Sequence, residues 1–163
     1  MTKRTKVTKI MVFLVALICV ISFGYSALAT SWEDSVAKNW QLIGPANSQY
    51  NCLNYATEPY RTGSDLLKYW EWPWGSSLPT SSQVDSYLNT QYGLSSSSYT
   101  VAASVNNIFS YGTTSGITHF SRRYTTSGYI VAKWGQEGIY LSQGYNPYWT
   151  SGPYGAVVKK YYK

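Results

Sequence analysis

The chain lacks most of what builds a metal or cofactor site. Its 163 residues include one histidine, His119, and two cysteines, Cys19 and Cys52, and only 12% are charged. One histidine and one or two thiols cannot close a zinc site without carboxylates, and the seven Asp and Glu are scattered. Glu58, Asp65 and Glu71 are the one acidic grouping, and nothing in their spacing marks the facing pair a glycosidase needs. No phosphate loop, dinucleotide fingerprint or internal repeat is present. The expectation is therefore no cofactor and no metal.

The N-terminus has the pattern of a secretory signal peptide over residues 1–29. Lys3, Arg4, Lys6 and Lys9 precede an uncharged apolar stretch from Ile10 to Phe23, and Ala27-Leu28-Ala29 supplies the small-x-small cleavage pattern. That stretch is short of the roughly 20 residues a membrane span needs, so no stable span is expected after cleavage. Cys19 follows Ile18, where lipoprotein processing wants a small residue, and is not read as lipidated. Residues 30–163 then form a single domain, secreted, extracellular or bound to the cell wall after Gram-positive-type export.

Removing the leader changes the charge. Of 13 Lys and Arg against seven Asp and Glu, four cations and no anion belong to it, leaving nine against seven. The basicity is mostly the export signal, so no nucleic-acid partner is expected. All seven tryptophans and all but one of the 17 tyrosines lie beyond residue 29. Such side chains suit both a β-rich core and a surface that binds sugar or peptide.

Trp32 to Leu42 reads as a short amphipathic helix, with Trp32, Val36, Trp40 and Ile43 near helical spacing and Gly44-Pro45 as its stop. Asn51 can cap a helix from Cys52 to about Thr57, which Pro59 ends. Tyr69 to Gly75 reads as an aromatic loop. Thr80-Ser81-Ser82-Gln83 forms a capping box for a helix that buries Val84, Tyr87 and Leu88 and closes at Gly93. The serine run Ser95 to Ser98 reads as a linker. Tyr99 to Val101 is a short strand, and Val105 to Tyr111 is helix or strand. Gly116–Tyr124 and Tyr129–Trp134 form a hairpin, with further strands at Gly138–Leu141 and Ala156–Tyr162. Helices followed by an antiparallel sheet make the fold class α+β.

Cys52 opens a predicted helix and His119 lies in a predicted strand. Unpaired N–H groups at a helix start favour a thiolate, and a nearby histidine can complete an ion pair and later protonate a leaving amine. That chain order is the papain-like arrangement. A third group would orient the histidine. Ala132-Lys133-Trp134-Gly135 partly matches the Asn-Ser-Trp-Gly segment of papain relatives, with Ala132 where the asparagine would stand. Gln136 is the preferred orienter because an amide can accept from the imidazole. Lys133, Glu137, a backbone group or water are the alternatives. The Cys52 N–H is the default oxyanion donor, with Asn47, Gln49 and Asn51 nearby in sequence. Trp72, Trp74 and Trp134 are candidates to line a substrate cleft.

Asn-Cys-Leu-Asn-Tyr-Ala at 51–56, Trp-Glu-Trp-Pro-Trp-Gly at 70–75, Ile-Thr-His-Phe-Ser-Arg at 117–122 and Ala-Lys-Trp-Gly at 132–135 resemble a family of small exported bacterial proteins, from about Trp40 onward. More distantly, the Cys and His motifs resemble NlpC-type and CHAP-type cysteine peptidases and amidases. That resemblance implies Cys52 as nucleophile and His119 as base, acting on a peptide or peptidoglycan-like substrate. The leading reading is an exported cysteine hydrolase, peptidase or amidase, with acyl transfer to an amine as a variant. The alternatives are a non-catalytic, aromatic-rich module that binds wall glycan, and a small secreted toxin or bacteriocin.

Overall fold

One antiparallel sheet draws strands from both halves of the chain. A computed structural model describes residues 31–62, 72–100, 103–125 and 128–163. The expected signal peptide at residues 1–29, Asp65 and the Tyr69–Glu71 part of the aromatic run lie outside the described residues. Trp32–Lys163 is a compact unit. It begins with helix α1 (Trp32–Val36), strand β1 (Gln41–Gly44), helix α2 (Cys52–Thr57) and a 3-10 turn (Glu58–Tyr60). Helix α3 (Ser81–Tyr92) and strand β2 (Ser95–Ser97) follow. Strands β3 (Ile108–Thr113), β4 (Gly116–Arg123), β5 (Tyr129–Lys133), β6 (Ile139–Gln143) and β7 (Ala156–Tyr162) complete it.

The seven strands lie in the order β1-β6-β5-β4-β3-β7-β2. This corrects the expected papain-like α+β arrangement of N-terminal helices followed by a sheet. The fold is β-rich, the helices are few and short, and β1 precedes α2 in the chain. The Trp32–Leu42 helix stops at Val36. Ala37 then bridges to Tyr148, and Gln41 and Leu42 pair with Leu141 and Tyr140 of β6. The open edge of β6 presents backbone donors and acceptors, and pairing with them wins over a weak helical period. The serine run corrects in the same way. Ser95–Ser97 pairs with Lys160–Tyr162 of β7, because an edge strand needs backbone partners more than branched side chains.

The two caps that depend on local chemistry form as expected. The Asn51 side chain accepts from the Asn54 N–H at 2.9 Å, and the Thr80 capping box with Gln83 is complete. Gly93 ends α3 in the left-handed conformation, φ 66°.

The sheet is covered on both faces. Ile108, Phe120 and Tyr161 pack with Leu53 and Ala56 of α2 and Val84 and Leu88 of α3. The other face carries Phe109, Tyr111, Ala132 and Trp134 against Val36 of α1 and Tyr148. Residues 144–155 run across this second face as a strap. The strap is tied to α1 by the Trp149 N–H on Val36 O and the Trp149 indole on Asp34 O, and to the segment after it by the Lys38 N–H on Pro147 O.

Two irregularities shape the middle of the sheet. The described register between β4 and β5 joins only Arg122 to Val131 and Arg123 to Ile130, and α2 packs against both strands. In β3 the register shifts after Tyr111, where Gly112 takes φ 123°. A Cβ on Gly112 would collide with the carbonyl oxygen of Gly116, so this bulge requires glycine.

Candidate functional site

Cys52 is the first residue of α2 and is only 5% exposed. The backbone at Phe120, Leu53 and Cys52 itself, and then the charge of Lys133, favour the thiolate. Burial outweighs all of them and pushes the thiol up to about 11. The expectation of a low-pKa thiol at a helix start counted only the local donors. A helix of six residues offers a weak dipole, and desolvation wins.

His119 directly precedes Phe120 on β4, so the chain delivers the imidazole and the Phe120 N–H to neighbouring positions. Alternation sends their side chains to opposite faces. Phe120 enters the core around α2, while His119 enters a cluster of Tyr111, Tyr148 and Tyr154. His119 is 1% exposed, and burial pulls it down to about 3. Its Nε2 lies 3.2 Å from the Tyr148 hydroxyl, and its Nδ1 is buried without a hydrogen-bond partner. No hydrogen bond joins thiol to imidazole among the described residues. In the resting state both groups are neutral.

The tyrosines come largely from the strap. The Tyr154 ring stacks on His119 at a centroid separation of 3.8 Å, and its carbonyl accepts from Thr118 Oγ1 at 2.7 Å. The Tyr148 ring meets His119 edge-on at 5.2 Å. The Tyr148 hydroxyl also receives the Trp134 indole N–H at 3.3 Å. Burial first, and the charge of Cys52 among lesser causes, raises both Tyr148 and Tyr154 well above an ordinary phenol. Sequence reasoning missed these two residues. The available signal was the tyrosine-rich segment between Gly144 and Gly155.

The remaining candidates scatter. Gln136 is exposed on the β5–β6 turn, where its carbonyl accepts from the Asn47 N–H, and Tyr148 occupies the position beside Nε2. Glu137 shares that turn. Trp134 is fully buried and stacks on Tyr140 at 4.1 Å, so it lines no open cleft in this state. The Asn51 side-chain oxygen is used by its cap, and Asn47 Oδ1 accepts from the Gln49 N–H. Glu58 pairs with Arg122 at 2.9 Å, joining the end of α2 to β4.

Trp72 and Trp74 sit on the α3 side. Trp72 lies 5.8 Å from the Phe120 ring, Trp74 is 5.2 Å from Tyr87, and Tyr87 is 6.2 Å from Tyr92. Two hollows flank this row. One of about 490 Å³ is lined by Trp74, Gln83, Ser86, Tyr87 and Gln91, and one of about 380 Å³ by Asn54, Tyr60, Arg61, Tyr87 and Tyr92.

Fold and site together describe a β-rich domain with a buried thiol and a buried imidazole under an aromatic strap. The chain belongs to the family described as a domain of unknown function, DUF7689, whose model matches residues 41–162. No curated protein and no solved structure gives a significant match.

Proposed function

We propose that this is an exported thiol-dependent hydrolase that cleaves an amide through an acyl-thioester on Cys52. The observation carrying the reading is the bare Nδ1 of His119. A buried imidazole nitrogen without a partner costs about 1–3 kcal/mol, and here it stands one residue from the backbone N–H that faces the thiol. With the ring proton on Nε2, the Tyr148 hydroxyl accepts from both Trp134 and His119, and Nδ1 holds a free lone pair.

As the sulfur attacks the substrate carbonyl, Nδ1 takes the thiol proton and then passes it to the departing amine. Water cleaves the thioester and regenerates the thiol. A neutral pair suits general-base catalysis, in which the proton moves as the S–C bond forms. The strap must lift Tyr154 from His119 to admit the acyl group. Wall peptide is the proposed substrate, since an exported protein meets that amide polymer first. The proposed chemistry is the kind NlpC-type and CHAP-type enzymes perform, on a fold that is not papain-like. The test is release of free amino groups from peptidoglycan by the wild-type protein, with Cys52→Ser and His119→Ala as controls. Equal activity in Cys52→Ser would rule out the thiol mechanism.

A second reading, a glycan-binding module, is favoured by the row from Trp74 to Tyr92. It combines aromatic faces with Ser, Gln and Asn side chains that match sugar hydroxyls. It predicts retention on wall glycan that survives Cys52→Ala and falls in Trp74→Ala.

A further inference from the structure

The two hollows beside α3 adjoin. Gln83, Tyr87 and Gln91 stand four residues apart on that helix and so share one face, and Tyr87 and Gln91 line both hollows. The other walls differ. Around Trp74 they are neutral, with Ser82, Gln83 and Ser86. The second hollow adds Tyr60, Tyr92 and one charge, the guanidinium of Arg61. No carboxylate among the described residues lines either.

Arg61 is held in place by α2. Thr57, fully buried, donates its hydroxyl to Leu53 O at 2.9 Å, which leaves its oxygen free to accept. Arg61 Nε and Nη2 donate to that oxygen at 3.1 and 2.8 Å, and Nη2 also donates to Asn54 Oδ1. Nη1 has no acceptor among the described residues. The described ion pairs, Arg122–Glu58 and Lys159–Asp85, leave Arg61 out.

A guanidinium fixed by neutral acceptors keeps its whole charge, and a ligand need not quench its rotamers. A carboxylate oxygen at Nη1 would make a charge-assisted hydrogen bond there. The half-buried rings of Trp74, Tyr87 and Tyr92 offer apolar faces to a sugar, and the Ser and Gln side chains match its hydroxyls. At about 490 and 380 Å³, each hollow has the size of a small-ligand pocket.

We propose that this surface binds an acidic glycan, with a neutral sugar unit in the Trp74 hollow and a carboxylate-bearing unit in the adjoining one, its carboxylate on Arg61. The assignment rests on the glycan-binding reading above and deepens it. It is independent of the thiol chemistry, because His119 enters the strap face while this surface lies on the α2 and α3 side.

The probes are a hyaluronan tetrasaccharide, which alternates a uronate with a neutral N-acetylhexosamine, and the same tetrasaccharide with its carboxylates methyl-esterified. Each is titrated into the protein by calorimetry. The acid should bind about tenfold more tightly than the ester, the order expected of one hydrogen bond to a charged group. The preference should shrink at high salt. Arg61→Gln should bind both forms as the wild type binds the ester, and Arg61→Lys should keep part of the preference. Trp74→Ala should weaken acid and ester by the same factor, because stacking does not sense the carboxylate.

Equal binding of acid and ester by the wild type would overturn the acidic assignment and leave the glycan reading standing. That comparison needs no substitution, so it decides the matter even if Arg61→Gln fails to fold. A preference for the acid that persists in folded Arg61→Gln would also overturn it. Binding of neither form would overturn both the assignment and the glycan reading of this surface.

Discussion

Tyr154 lies flat on His119, with the ring planes 9° apart. The stack covers one face of the imidazole, and Tyr148 and Tyr111 close around the rest. The strap therefore governs access to the site, while the sheet fixes where the site is. Tyr154→Ala should speed Cys52 alkylation at least tenfold and raise the His119 titration midpoint toward its ordinary 6.5. Its stability cost should be about 2–4 kcal/mol, read from urea midpoints. Unchanged alkylation would show that the strap is not the barrier.

Acid should destabilise the protein through His119. Burial holds its folded pKa at about 3 against 6.5 for a solvated imidazole, so between those values the unfolded chain binds a proton that the folded chain refuses. Stability from this group is fully present above pH 6.5 and declines as pH falls toward 3, by on the order of 3–5 kcal/mol over the window. Cys52 acts at the alkaline end. With its pKa raised from 9.0 to about 11, the folded chain keeps a proton that the unfolded chain releases, and stability falls as pH rises through that range. Urea titrations of wild type and His119→Gln at pH 7 and 4.5 check the acid limb, whose slope should flatten in the variant.

The bulge at Gly112 should tolerate no side chain. Its backbone meets Gly155, where a built Cβ would sit 3.0 Å from the Gly112 Cα, so the two glycines set how closely the strap end approaches β3. Gly112→Ala adds both a clash with Gly116 and left-region strain, and should cost at least about 2 kcal/mol. Gly93→Ala also has φ above zero but has open space around it, and should cost about 1 kcal/mol. Comparing the two melting temperatures separates strain from strain plus collision.

Removing the Thr80 hydroxyl should cost about 1 kcal/mol, because Thr80→Ala leaves the Gln83 N–H without its cap. This is also where the sequence was most readable. Asn51 with Asn54, Thr80 with Gln83, and Gly93 each complete their geometry within a few residues, so their elements could be located from residue types alone. The strands at Gly116 and Tyr129 were likewise visible in their β-branched and aromatic pattern.

Elements whose shape depends on distant partners were not readable. Ser95–Ser97 is a strand because Lys160–Tyr162 lies beside it, and β1 exists because β6 has a free edge. The candidate site divides in the same way. Cys52 and His119 stood out as residue types, and the start of α2 supplied a local reason for a reactive thiol. The ionisation of His119 is set by burial under Tyr148 and Tyr154, which lie 29 and 35 positions beyond it and carry no sequence mark of that contact, and that of Cys52 by burial among Leu53, Ala56, Val84 and Phe120.

The burial of Cys52 also bears on the chain's behaviour outside a reducing compartment. Among the described residues it is the one thiol, and it is free. Oxidants and foreign thiols attack the exposed thiolate, and this sulfur is neither exposed nor ionised at neutral pH. Two folded molecules thus cannot cross-link through Cys52 without first unsealing it. The packing around it works as a chemical preservative, keeping the sulfur reduced for as long as the core stays closed.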